Sequence, residues 1–185
     1  MEAFEYLSVL ISIVLGLGIT HLLLGFGRWL ERRDTFRPFG PSLAWAGFIL
    51  LVHLQTWWTM FGYREYSEWN FLQFTVVLLQ PIVLFLLAMV VFPSGETPLR
   101  DLRENFFHQR PWLFGLLIVL LGVSLLKDLV RSGSLPDPMN LGFHGVFLCL
   151  AVGGLVLKTV RGQRPIAHVG LLSIVAYITA LFFEL

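Results

Sequence analysis

The composition of this 185-residue chain excludes an ordinary water-soluble domain. Hydrophobic residues make up 56% of the sequence and charged residues only 14%, with a formal net charge of +1, whereas soluble domains contain about 45–50% apolar and about 25% charged residues. The single cysteine, Cys149, excludes a disulfide or a cysteine-based metal site within one chain. The sequence also lacks a nucleotide-binding loop, a zinc-protease motif and a nucleophile elbow, which favours a protein without catalytic activity.

Six apolar segments follow one another along the chain, each of about the length that a helix needs to cross some 30 Å of hydrocarbon. Charged residues, Pro and Gly separate them, and the segments span residues 4–30, 42–63, 69–92, 111–130, 139–160 and 165–184. The sequence therefore predicts a single all-α domain, a polytopic transmembrane helical bundle of about six spans whose first partner is the lipid bilayer.

The longest connection, residues 96–110, mixes charged residues with Leu and Phe at helical spacing. This pattern is typical of a short amphipathic helix that lies on a membrane surface. We predict such a helix on the inner surface, with a polar connector as the alternative.

The distribution of Lys and Arg predicts the orientation of the bundle. Ten of the 13 Lys and Arg residues lie in or beside the breaks after the first, third and fifth segments, and the other side holds only Arg64, Lys127 and Arg131. Because cytoplasmic loops are enriched in Lys and Arg, both termini are predicted to be outside. The basic loops follow this rule and give no argument for a nucleic-acid partner.

Small residues form two stripes on the first segment. One face carries Ser8, Ser12, Gly16 and Thr20, and the opposite face carries Gly18, His21, Gly25 and Arg28. Small residues at this spacing let helix backbones approach closely, so we predict a central first helix that packs through Ser12, Gly16, Gly18 and Gly25. A similar stripe on the fifth segment includes Gly145 and Gly153. Packing is the simpler interpretation; the alternative is that these stripes leave room for a ligand.

Polar side chains inside the apolar segments are the candidate functional residues. Ionisable groups within a membrane are costly and usually face the protein interior, and this criterion selects His21, His53, His144 and His168. Two amides join them, Gln55 and Gln80, the second of which precedes a mid-segment proline. Carboxylates are missing from the middle of every segment, although cation-coupled carriers commonly use one there.

Three hypotheses for these residues remain open. In the first, the chain is a small channel- or carrier-like bundle with a polar interior, and His21 and His53 point inward. In the second, pairs of histidines bind b-type haem as axial ligands; apart from this alternative no cofactor or metal is predicted. In the third, the chain is a non-catalytic accessory or scaffold subunit. A homo-oligomer, or a complex with a membrane partner subunit, is expected in each case.

Two stretches of the sequence resemble a group of uncharacterised bacterial integral membrane proteins. They are residues 5–23, with the sequence EYLSVLISIVLGLGITHLL, and residues 101–107, with the sequence DLRENFF, followed by Arg110 and Trp112. The resemblance implies a six-span architecture and a bacterial plasma (inner) membrane. It implies no activity.

Overall fold

The protein is built from helices, as the sequence predicts. The computed structural model describes residues 3–31, 38–65, 69–92 and 102–181, and 92% of these residues are helical. The six α-helices are α1 Ala3–Glu31, α2 Gly40–Thr59, α3 Phe71–Val91, α4 Leu102–Ser132, α5 Pro138–Val156 and α6 Val160–Leu181. A 3-10 helix, Met60–Glu65, continues directly from α2.

Local sequence signals fix several of these helix ends. Asn70 begins α3 with a capping box, in which its side chain accepts from the backbone N–H of Gln73 and the Gln73 side chain accepts from the backbone N–H of Asn70. Asp137 caps α5 in a related way and is followed by Pro138 in the first turn. Gly133, with φ of 68°, makes the turn after α4 that a side chain would disfavour.

Five of the helices, α1 and α3 to α6, are long and apolar enough to cross a membrane. The exception is α2, which carries His53, Gln55 and Thr56 in its second half. This helix lies at the centre of the bundle, where it contacts α1, α3, α4 and α6. Nine of its 20 residues are buried and four are exposed, so protein surrounds most of this helix.

The first helix contacts two other α-helices, as predicted, but it lies at the edge of the bundle, so its predicted central position is wrong. Its helix contacts are with α2, α3 and the 3-10 helix. One stripe makes these contacts, and its large members are Leu7, Ile11, Leu15 and Leu22. Ser12 and Gly16 are exposed on the other side, because the large residues, rather than both small stripes, supply the interface.

Some of the glycines predicted to pack against other helices do so, and others do not. A Cβ atom on Gly18 would lie 2.3 Å from Nε2 of His53, and one on Gly25 would lie 2.3 Å from the Phe92 ring, so these two glycines do allow close packing. Gly153 has only ordinary contact with Ile166. Gly16 and Gly145 face open space in the described part of the chain, so neither packs against a neighbouring helix there.

The fourth helix begins earlier than the sequence predicts. Residues 102–110 form its first turns rather than a separate helix, and Pro111 is accommodated inside the 31-residue α4. The reason is packing: Leu102, Phe106 and Arg110 are buried against the bundle. Residues 96–101 lie outside the described ranges, and a position on the inner membrane surface stays a prediction.

We name the two ends of the bundle by their residues. The upper end holds Tyr63, Trp69, Arg131 and Asn140, and there the Tyr63 ring meets both Trp69 and the Arg131 guanidinium. The lower end holds Phe39, which stacks at an angle on Phe106 with 5.3 Å between ring centroids.

Candidate functional site

A cavity lies between α2, α4, α5 and α6, and a side chain from α3 completes its wall. Its volume, counted as space open to the centres of water molecules, is about 60 Å³, which is enough for several waters. Most of the wall is apolar. The polar side chains come from all five helices: Gln55, Gln80, Ser124, His144 and Tyr177.

His144 is buried in this wall and both of its ring nitrogens are engaged. Nδ1 lies 2.9 Å from the carbonyl oxygen of Asn140, and Nε2 lies 3.2 Å from Oγ of Ser124. A carbonyl can only accept, so Nδ1 carries the proton and Nε2 accepts from the serine hydroxyl. This bond ties α5 to α4 beside the cavity. Nearby, the Tyr177 hydroxyl donates to Oδ1 of Asn140 at 3.2 Å and ties α6 to α5.

Gln80 is the centre of a second polar group that joins α2, α3 and α4. Its Nε2 donates to Oγ1 of Thr56 at 3.2 Å, and its Oε1 accepts from Nζ of Lys127 at 2.8 Å. Gln80 is buried and Lys127 is half-buried. The amide of Gln80 therefore joins a hydroxyl of α2 to the ammonium group of α4.

Two groups at the cavity retain unused donors. Gln55 is half-buried and makes no hydrogen bond to any residue that the structure describes. Trp45 is buried, and its indole N–H finds no acceptor among the same residues. The amide of Gln55 can therefore bond a molecule in the cavity, whereas the Trp45 nitrogen is covered by protein atoms.

Only some of the polar residues predicted from the sequence lie together at the cavity. Gln55, Gln80 and His144 line the cavity, whereas His21, His53 and His168 lie elsewhere. His168 is exposed, with Nδ1 bonded only to the carbonyl of Arg164 in its own helix, so it is no part of a polar interior. His21 and His53 do face the protein, as predicted.

These two histidines join α1 to its neighbours. His21 donates from Nε2 to the carbonyl oxygen of Phe92 at 2.7 Å, just beyond the last residue of α3, where a helix leaves carbonyls without partners. His53 is fully buried and donates from Nδ1 to the carbonyl of Ile49 at 2.8 Å. Its Nε2 faces Gly18 and has no hydrogen-bond partner in the described part of the chain.

In the part of the chain that the structure describes, the arrangement of the four candidate histidines gives no support to haem binding, which stays a prediction. An axial ligand must present a free ring nitrogen to an open space wide enough for the porphyrin. Nε2 of His53 is covered by Gly18, both nitrogens of His144 are engaged, and Nε2 of His21 is bonded to Phe92. The exposed His168 has no second histidine facing it across a cavity.

Arg110 is a buried cation that the sequence placed among the loop charges. Its Nη1 donates to three carbonyl oxygens at the end of α5: Gly154 at 3.0 Å, Leu155 at 2.8 Å and Leu157 at 3.3 Å. The amide of Gln163 donates to the first and last of these carbonyls as well. A cation at a helix C-terminus interacts with the free carbonyls and with the negative end of the helix dipole. Arg110 therefore has a structural role as the cap of α5.

Two smaller cavities lie beside the cavity between α2, α4, α5 and α6, which is named the main cavity for its polar side chains, toward the upper end. The first, of about 10 Å³, shares Gln80 with the main cavity and is also lined by Thr56, Thr59 and Lys127. The second, of about 20 Å³, shares Lys127 with the first and reaches Gln73 and Arg131. Lys127 and Gln80 thus stand between three adjoining spaces. A wider groove of about 480 Å³ lies between α1, the end of α2 and the 3-10 helix.

Comparison with protein-family models, with curated proteins and with solved structures found no match. The assignment of a function therefore depends on the cavity and its side chains alone.

Proposed function

We propose that this chain is a six-span protein of a bacterial plasma membrane, with both termini outside, and that it carries a small solute through the cavity between α2, α4, α5 and α6. The observation that carries the proposal is the convergence of polar side chains from five helices on one mostly apolar cavity. A cavity with an apolar wall and a few polar groups is the usual form of a small-molecule site.

A carrier accounts for the cavity better than an open channel does. Below the cavity the bundle is filled by aromatic rings: Trp45 packs on Phe114 with 5.2 Å between centroids, and Phe114 packs on Phe106. These three side chains are almost fully buried. A carrier exposes its site to one side at a time and needs such a barrier on the other side.

The solute that fits is largely apolar and bears a hydrogen-bond acceptor. The apolar part matches Phe48, Leu117 and Ile174 in the wall, and the acceptor matches the amide of Gln55. His144, by contrast, is already satisfied and mainly holds α4 and α5 in place.

Cysteine labelling in proteoliposomes tests the carrier. In a Cys149→Ala background, Gln55→Cys is expected to react with a charged, membrane-impermeant thiol reagent supplied from either side, as alternating access requires. Leu54→Cys is the control, because Leu54 is exposed on the apolar outside of the bundle and a thiol in lipid ionises poorly. Reaction from one side only, or no more reaction than Leu54→Cys gives, would overturn the carrier.

A scaffold function is the second candidate, and the exposed face of α1 favours it. Ser12 and Gly16 are exposed, and Gly16 contacts no neighbouring helix among the residues that the structure describes; small-residue faces of this kind pair helices in membranes. Disulfide formation between Ser12→Cys copies in the Cys149→Ala background would support a homo-oligomer through this face. The haem alternative predicts a Soret band in the purified protein, and its absence would discard that alternative.

A further inference from the structure

We infer that the solute of this cavity is an anion with an apolar body, and that Lys127 is the residue that binds its charged group. This inference deepens the proposed carrier and rests on it. The observations that support it are the position and the hydrogen bonds of Lys127.

Lys127 points into the bundle. It lies five residues before the end of α4, and side chains on a helix lean toward the helix N-terminus. Its stem therefore runs away from the upper end, and Nζ reaches Gln80 near the middle of α3. Lysines near the ends of membrane helices ordinarily extend the other way, toward water.

The ammonium group has fewer acceptors than it can use. It can donate three hydrogen bonds, and Gln80 is its one acceptor among the residues that the structure describes. No carboxylate pairs with it there: α3 has no charged residue, and the neighbouring Asp128 faces Arg131 at 3.9 Å. The donor positions that Gln80 leaves open can therefore bind an incoming negative charge through charge-assisted hydrogen bonds.

Other donors lie near Lys127. Arg131 and the amide of Gln73 line the cavity of about 20 Å³ with Lys127, and the amide of Gln55 lines the cavity between α2, α4, α5 and α6. A carboxylate, sulfonate or phosphate that reached Nζ could replace Oε1 of Gln80 as the acceptor. Gln80 would then be free to turn between the two cavities that it separates.

Binding of three octyl compounds to the purified protein in a maltoside detergent tests the inference. Octanesulfonate, octanol and octyltrimethylammonium share one apolar chain and differ in charge. Octanesulfonate is expected to bind about tenfold or more tightly than the other two, the scale of a charge-assisted hydrogen bond. Lys127→Gln should abolish the preference and Lys127→Arg should retain it. Lys158→Gln, at an exposed position between α5 and α6, is the matched control.

Each other outcome is decisive. Equal binding of octanol and octanesulfonate, or a preference that survives Lys127→Gln, overturns the anion assignment. It leaves the carrier standing if Gln55→Cys still reacts from both sides. If octanesulfonate loses its advantage in nanodiscs containing phosphatidylglycerol, and Lys127→Gln abolishes that competition, the bound anion is a lipid headgroup and the solute assignment is overturned.

Discussion

At the scale of single residues, the contact between Gly18 and His53 leaves no room for a side chain between α1 and α2. Any side chain at Gly18 would collide with Nε2 of His53. We expect Gly18→Ala to lower the free energy of unfolding by about 1–3 kcal/mol, the usual range for overpacking. Thermal melts in detergent measure this change.

Gly16→Ala is the matched control for that variant, because Gly16 faces open space two residues away. Without a collision, the better helix propensity of alanine leaves the protein as stable as the parent or up to about 1 kcal/mol more stable. Equal melting of the two variants would contradict the packing of α1 described above.

Arg110 gives a second residue-scale prediction. Arg110→Met removes the charged donor from three carbonyls at the end of α5 and is expected to cost about 1.5–3 kcal/mol of stability, the value of a hydrogen bond to a charged group. Arg161→Met, at an exposed position, should cost little. Denaturant unfolding of both variants decides whether Arg110 caps α5.

At the scale of elements, the first turns of α4 hold the lower end together. Phe106 is 3% exposed and contacts the rings of Phe39, Phe107 and Phe114. Phe106→Ala should therefore cost about 3–5 kcal/mol, as other buried Phe→Ala changes do. Phe71→Ala is the control, since Phe71 is 83% exposed. A small effect at both positions would mean that residues 102–110 do not pack as part of the bundle.

The helices could be predicted from the sequence because each is an apolar block between breakers, and a helix is the form in which such a block satisfies its own backbone. The start of α4 was missed because buried and exposed residues alternate in its first turns as they do on a surface helix. The pattern of apolar and polar residues in one segment does not show whether its apolar face contacts a membrane surface or a neighbouring helix.

The candidate site was only half predictable for a related reason. Gln55, Gln80 and His144 stand out as polar residues in apolar segments, and the structure brings them to one cavity. Ser124, Tyr177 and Lys127 were passed over, because their importance lies in partners on other helices, such as His144 for Ser124. Spacing along one helix contains no information about which polar groups meet across the bundle.

At the scale of the whole molecule, the low hydropathy of α2 agrees with its central position. The central α2 is the one helix that is not apolar enough to be recognised as a span, while α1 at the edge and the outer faces of α5 and α6 carry exposed Leu and Val. A helix that is surrounded by protein can carry polar side chains if they are satisfied internally. We therefore expect α2 to cross the membrane with its neighbours.

Topology is the last prediction, and it decides whether α2 crosses. In the Cys149→Ala background, Ser134→Cys lies in the exposed turn between α4 and α5, and Thr159→Cys lies between α5 and α6. With six spans and both termini outside, an impermeant maleimide should label Ser134→Cys in intact cells and Thr159→Cys only after permeabilisation. Reporter fusions at the two ends should also respond alike. If α2 did not cross, five spans would place the two termini on opposite sides of the membrane, and the fusions would disagree.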